Sequence, residues 1–183
     1  MMSKKEVLGI YLEQYKLMEE DFMELIKYVS LSGKNFATFS PKLLSMFLLT
    51  CSEIDSILNE YVRKYDLQTG KNMDFCKKIR ALCDKEQRNL YAERVSIREI
   101  SGSKSIAPFG KLSSAETTDW WHDYNLVKHS RMRKDDKENW NYEKGNLRNV
   151  LYSMAGLYII LHIFFRDELL DEDIISSKLF KRL

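Results

Sequence analysis

Residues 120–133 form one short segment that holds most of the residue types that could do chemistry. If this segment is helical, Asn125, Lys128 and His129 lie on one face with Trp121, because residues three and four positions apart are neighbours on a helix. An amide, a cation and an imidazole would then converge on that face. The adjoining face should belong to the core and carries Trp120, Tyr124 and Val127.

Two interpretations fit the basic residues of this segment. Lys128, Arg131 and Arg133 could hold a phosphate group, and His129 could act as a general acid or base at neutral pH. Alternatively, these cations complement the dipole and the free carbonyl groups at the end of a helix. The acidic run at residues 135–138 would then partly neutralise them.

Other kinds of site have weaker support in the sequence. His122 and His129 are separated by seven positions and lack the i,i+4 His or Glu partner of helical metal sites, so we expect no metal. The sequence contains no GxGxxG, P-loop, GxSxG or HExxH motif. We therefore expect no nucleotide-binding fold, no common hydrolase site and no cofactor.

Composition indicates one globular domain spanning residues 1–183. Apolar residues make up 44% of the chain and charged residues 31%, which permits a core and argues against general disorder. The formal net charge of +2 is small. A nucleic-acid site would therefore have to be a local patch on the surface.

The cysteines and the apolar runs indicate a cytoplasmic protein that does not insert into a membrane. Cys51, Cys76 and Cys83 are odd in number, show no CxxC spacing and lie on apolar helical stripes, as expected for buried thiols. The most hydrophobic run, residues 150–165, contains Ser153 and His162 and is too short for a comfortable span. It should be a core helix.

Helical periodicity predicts an all-α protein with several long helices and one irregular loop. A first stripe runs from Val7 to Val29, and a second follows a helix start at Ser40 and Pro41. Predicted core residues are Leu44, Phe47, Ile54, Leu58, Trp120, Tyr124, Leu151, Met154 and Leu161.

The second half of the chain is predicted to be less regular. Asn72 can cap a third helix, and residues 92–118 lose the helical period, with a short extended piece at Val95, Ile97 and Ile100. Helix should return at Thr118 or Asp119 and end near Ser130. Asn146 caps the last long helix, and a short helix is predicted at residues 173–181.

The apolar width of the last long helix suggests a partner. Its stripe covers more than one face, so it should be buried by other helices or by a second subunit. We therefore expect a homodimer that uses this helix or the helix carrying His129.

The pattern WW-x-x-YN-x-x-KHSR, from Trp120 to Arg131, followed by a long apolar helix, resembles HEPN-like proteins of bacteria. The segments SEIDSIL at residues 52–58 and IAPF at residues 106–109 resemble the same uncharacterised branch. The resemblance covers roughly residues 40–166, and most of its specificity lies in the aromatic and basic segment.

The resemblance implies a HEPN-like helical bundle of four or more long helices, which commonly dimerises so that equivalent sites of two subunits face each other. Active members are metal-independent ribonucleases of toxin–antitoxin and phage-defence systems, with an Arg-x(4–6)-His motif and an acidic residue on an earlier helix. Asn125 and His129 match this pattern, and Glu53 or Asp55 would supply the acid. Tyr124 stands at the arginine position, and a phenol carries no positive charge at neutral pH.

Two functions follow as hypotheses. The first is an endoribonuclease with His129 as acid/base, Asn125 orienting it, Glu53 as the acid, and phosphate contacts from Lys128, Arg131 and Arg133. The second is a non-catalytic module that binds RNA, a nucleotide or a protein, or only dimerises. Expected partners are a second copy of the chain, RNA or a nucleotide, and an antitoxin-like protein.

Overall fold

Short polar side chains begin most of the helices where the sequence predicts them. The side chains of Ser40, Thr118 and Asn146 each accept a hydrogen bond from the backbone N–H three residues later, at 3.2, 3.3 and 3.0 Å. The third helix is capped instead by Asp74, which accepts the corresponding bond at 2.9 Å. Asn72, the predicted cap, lies outside the described residues.

A computed structural model describes residues 4–67, 73–98, 104–112, 117–165 and 175–183. Helix accounts for 61% of these residues, which confirms the prediction of a mainly helical protein. The described residues also form a small three-stranded sheet. The helices are α1 (Lys4–Leu25), α2 (Pro41–Lys64), α3 (Phe75–Glu86), α4 (Asp119–Ser130) and α5 (Leu147–Phe164), with short 3-10 helices at Gly33–Asn35 and Asn141–Lys144. The strands are β1 (Val95–Ile97), β2 (Ser105–Ile106) and β3 (Phe180–Arg182).

The apolar helix α5 lies at the centre of the core, with α2 packed along it and α1 and α4 beside it. By length and composition α5 could cross a membrane, but 83% of its residues are buried inside the protein. That burial is typical of the core helix of a soluble protein.

The chain itself covers the wide apolar face of α5. From Val150 to Phe165 every residue is buried except Tyr152 and His162, which are partly buried. The observation that suggested a dimer through this helix is therefore explained by the packing of α1, α2 and α4. The homodimer stays a prediction, which light scattering at high concentration can check.

The predicted core is largely confirmed, with one shift in register. Leu44 is only partly buried, and its neighbour Leu43 is 1% exposed. Gly145 lies directly against Leu44, so this position contacts the loop before α5. The remaining predicted core residues are buried: Phe47, Ile54, Leu58, Trp120, Tyr124, Leu151, Met154 and Leu161.

The predicted helix at residues 173–181 is wrong for its described part, which ends in strand β3. The Glu19 carboxylate of α1 accepts hydrogen bonds from the backbone N–H groups of Lys178 and Leu179, at 2.9 and 3.2 Å. The Ser177 hydroxyl accepts two more, from Leu179 and Phe180. These contacts use the N–H groups that a helix would need for its own bonds.

The sheet has the order β2-β1-β3 and is antiparallel throughout. Val95 pairs with Ile106 on one side and with Arg182 on the other. The predicted extended piece is therefore confirmed at Val95 and Ile97, whereas Ile100 lies outside the described residues.

Gly145→Ala should destabilise the protein. The added Cβ would lie 2.7 Å from the Cα of Leu44, and a backbone atom cannot rotate away. We expect a loss of about 1–3 kcal/mol in the free energy of unfolding, measured by urea denaturation. Gly9→Ala is the control, because nothing lies within 4 Å of its Cβ. It should keep stability or raise it by up to about 1 kcal/mol.

Candidate functional site

Aromatic side chains fix α4 in the core. The Trp120 indole N–H donates a hydrogen bond to the Pro108 carbonyl at 2.7 Å. The Trp121 ring stacks on Phe75 of α3 with centroids 3.8 Å apart. Trp121 was expected on the polar face, but it is 6% exposed and belongs to the buried side. The buried side of α4 is therefore wider than the sequence pattern indicated.

The last turn of α4 and the turn that follows it carry basic residues in contact with solvent. Lys128, His129, Arg131 and Arg133 are all exposed, and we call them the α4 cationic surface. Asn125 is exposed one helical turn before His129. The Lys128 ammonium lies 5.4 Å from the centroid of the Tyr124 ring. Within the described ranges, no side chain forms an ion pair with these four residues.

Other groups satisfy the carbonyls at the end of α4. The Ser130 carbonyl accepts hydrogen bonds from Asn141 Nδ2 and from the Arg133 backbone N–H, both at 2.9 Å. The Arg131 carbonyl accepts one from the Tyr142 backbone N–H at 3.2 Å. The side chains of the α4 cationic surface are therefore not needed to cap this helix. Of the two structural reasons for cations at the end of a helix, only the favourable interaction with the helix dipole applies to these four residues.

Two of the three carboxylates in the acidic run after α4, Asp135 and Glu138, are engaged elsewhere. Asp135 accepts hydrogen bonds from Lys144 Nζ at 3.1 Å and from the backbone N–H groups of Lys137 and Asn139, both at 3.0 Å. These contacts, that with Lys144 first, lower the pKa of Asp135. Glu138 pairs with Lys134 at 2.8 Å. Neither carboxylate neutralises Arg131 or Arg133.

A second flank of α4 is tied to α5 by charge. Asp119 contacts Lys111 at 2.7 Å and Arg148 at 3.2 Å, and the hydrogen bond from Lys111 is the main cause of its lowered pKa. Asp123 accepts a hydrogen bond from Asn149 Nδ2 at 2.8 Å. Sequence reasoning did not single out these residues, although the i,i+4 spacing of the two aspartates was a usable signal.

The two candidate acids of α2 lie on opposite sides of that helix. Glu53 lies on the side facing α1, where its charge helps to raise the pKa of Tyr11. Asp55 pairs with Lys78 of α3 at 2.7 Å, and its charge acts on Tyr124 of α4. Two positions along a helix correspond to about 200° of rotation, which explains the separation. The structure therefore does not bring Glu53 to His129.

Tyr124 cannot replace the missing arginine. The ring is 5% exposed and packs edge-on against Phe47 of α2, with centroids 6.2 Å apart. Burial, together with the charges of Cys51 and Asp55, raises the pKa of Tyr124 to about 12. The phenol is therefore neutral at physiological pH and contributes no positive charge to the surface above it.

The described residues indicate no metal site, and the comparison with known proteins identifies no relative. Among the described residues, no group of three His, Cys, Asp or Glu side chains is arranged to hold a metal ion. No family model matches the chain, and no curated protein and no solved structure is found to be similar to it.

Tyr124→Phe should reduce the loss of stability at alkaline pH. The phenol ionises near pH 10 in the unfolded chain and near pH 12 in the folded protein, so ionisation favours unfolding between these values. Wild type should lose more unfolding free energy than Tyr124→Phe between pH 9 and pH 11, measured by urea denaturation. Tyr28→Phe, which removes a phenol that is 81% exposed, is the control. Equal pH dependence in wild type and Tyr124→Phe would contradict this assignment.

Proposed function

We propose that this chain is a non-catalytic RNA-binding protein of the HEPN-like type, with the α4 cationic surface as the contact to RNA phosphates. One observation carries the proposal: Lys128, His129, Arg131 and Arg133 are exposed and lack carboxylate partners in the described part of the chain. Nearby Asp119, Asp135 and Glu138 are paired with other cations.

Unpaired cations favour a polyanion partner for a physical reason. A phosphate that binds Arg131 and Arg133 need not break an existing ion pair, and guanidinium groups match phosphate oxygens in a bidentate geometry. Binding would also release counterions from the nucleic acid. The choice of RNA among polyanions rests on the HEPN-like motif around Asn125 and His129.

Binding fits the geometry better than cleavage does. A ribonuclease of this type needs a positioned acid or base and a cation at the scissile phosphate. No side chain among the described residues orients the His129 imidazole by a hydrogen bond. The arginine position holds the buried, neutral Tyr124, and Glu53 faces α1. The endoribonuclease hypothesis, with its antitoxin-like partner, is therefore the second candidate.

Replacing both arginines with glutamine, Arg131→Gln with Arg133→Gln, should weaken RNA binding and reduce its salt dependence. Each lost phosphate contact should make the slope of log K against log salt less negative by about 0.7, the value for single-stranded nucleic acid. Fluorescence anisotropy with a labelled single-stranded RNA at several salt concentrations measures both quantities. Lys16→Gln is the control, because Lys16 is an exposed lysine on α1. An equal loss in this control would refute the assigned surface.

His129→Ala separates binding from cleavage. The proposal predicts that labelled RNA incubated with wild type or with His129→Ala stays intact, and that the thermal midpoint changes little because His129 is exposed. Cleavage by wild type that disappears in His129→Ala, with an unchanged thermal midpoint, would establish the endoribonuclease hypothesis instead.

A further inference from the structure

A cavity of about 500 Å³ lies away from α4, between the end of α5 and the small sheet. Its walls include four basic side chains and two rings. None of these six residues belongs to the α4 cationic surface, and none was singled out as a site residue from the sequence. They are Arg88, Arg98, Lys181, Arg182, Tyr158 and His162.

Residues from α5, from the end of β1 and from β3, which are distant in sequence, form this wall. Tyr158 and His162 are one turn apart on α5, and their rings meet edge to face with centroids 4.4 Å apart. The antiparallel pairing of β1 with β3 sets Val95 opposite Arg182. The Arg98 backbone N–H donates a hydrogen bond to the Leu179 carbonyl at 2.9 Å, which extends this pairing.

Basic side chains outnumber carboxylates among the described residues around the cavity. Glu93 is shared by Arg88 at 3.4 Å and Arg182 at 3.2 Å. The Arg98 Nε atom donates a hydrogen bond to the Phe180 carbonyl at 3.2 Å, and the rest of its guanidinium group forms no ion pair with a described residue. Lys181 is exposed and likewise has no carboxylate partner in the described ranges. Among the described residues, two of the four cations therefore share one carboxylate, and the other two have no carboxylate partner.

A second carboxylate of the described residues, Glu19, lies near this cavity and is already engaged. It is 3% exposed and accepts hydrogen bonds from the Tyr15 and Ser177 hydroxyls and from the backbone N–H groups of Lys178 and Leu179. Its charge helps to raise the pKa of Tyr158. Because its oxygens are bound by these donors, Glu19 holds the segment before β3 in place and is not available to pair with the cavity's cations.

Tyr158 offers a neutral hydroxyl donor in the wall. Burial raises the pKa of this phenol, although the charges of Arg182 and Arg98 act in the opposite direction. Both guanidinium groups line the same cavity as the Tyr158 ring. No described residue forms a hydrogen bond with the Tyr158 hydroxyl, so a ligand in the cavity can accept one from it.

We propose that this cavity binds a mononucleotide, with its phosphate held by Arg98, Lys181 and Arg182 and its nucleoside against Tyr158 and His162. The volume falls within the range of about 300–1,000 Å³ that is typical of small-molecule sites. Guanidinium and ammonium groups select phosphate. The partly exposed His162 ring provides a surface for a base or ribose, and Tyr158, which is 5% exposed, contributes mainly its hydroxyl. A concave site of this size admits one nucleotide rather than a polymer.

Isothermal titration calorimetry of the full chain tests the proposal with AMP, GMP, CMP and UMP, and with the nucleosides and inorganic phosphate for comparison. At least one mononucleotide should bind at least about ten times more tightly than its nucleoside or phosphate alone, because both parts of the ligand contribute contacts. Lys181→Gln should weaken that binding about tenfold, as expected for the loss of a charge-assisted hydrogen bond.

Two controls make the result specific. Lys178→Gln changes an exposed lysine of the same segment that does not line the cavity and lies 3.8 Å from Glu20, so affinity should stay unchanged. Arg131→Gln should also keep wild-type affinity, because Arg131 belongs to the α4 cationic surface. Tyr158→Phe, which removes only the hydroxyl, should weaken binding by a smaller factor of about three.

Three results would overturn the proposal. The first is the absence of binding heat with every mononucleotide. The second is phosphate or nucleoside binding as tight as that of the nucleotide, which would remove the two-part contact. The third is an equal loss of affinity in Lys178→Gln or Arg131→Gln, which would place the ligand outside the cavity.

Discussion

The Trp120 indole joins three parts of the fold, and the position of α4 depends on it. Its N–H bond to the Pro108 carbonyl fixes α4 to the irregular segment that precedes it. The same ring lies beside Phe109 and over Gly156 of α5, where an added Cβ would come within 3.4 Å of the indole and 3.2 Å of the Phe109 ring. A helix anchored this closely has little freedom to rotate. The spacing from Trp120 therefore decides which residues of α4 face solvent.

Acidic and basic residues are separated along α4. In its first half, Asp119 accepts a hydrogen bond from Arg148 and Asp123 accepts one from Asn149, both at the start of α5. These contacts hold this half of α4 in place and engage its carboxylates. The second half carries Lys128 and the residues that follow it. Because Asp119 and Asp123 contact residues of α5, they do not pair with the cations at the other end of α4, which therefore keep their positive charge. The same ion pairs that stabilise the packing thus leave the basic surface without partners.

Local signals in the sequence account for most of the fold. Ser40 and Asn146 cap helices through contacts only three residues away, and apolar periodicity identifies the buried faces. The failures involve contacts between distant residues. Glu19 binds the segment before β3 across a sequence separation of 158 residues, and this interaction replaces the predicted C-terminal helix with a strand. No local pattern contains that information.

The same distinction between local and distant contacts applies to the predicted site residues. Asn125, Lys128 and His129 are each exposed, whereas Trp121, which the spacing predicted on the same face of α4, is buried. The choice between Glu53 and Asp55 needed the arrangement of α1, α3 and α4 around α2, which periodicity does not supply. The cap of α4 by Asn141 could not be predicted from local patterns either, because Asn141 lies eleven residues after Ser130.

The two basic regions of this protein differ in exposure, and that difference favours different ligands for the two proposed sites. All four residues of the α4 cationic surface are exposed, so a polymer would gain affinity there by adding contacts along its length. The cavity at β3 is concave, with Tyr158 and His162 in its wall, so a small ligand can bury most of its surface there. The two regions share no residue, since the cavity wall comes from α5 and the sheet, whereas the cations of the α4 surface lie at and after the end of α4. Because α5 is buried and packed against α1, α2 and α4, it is the element that connects the two proposed sites.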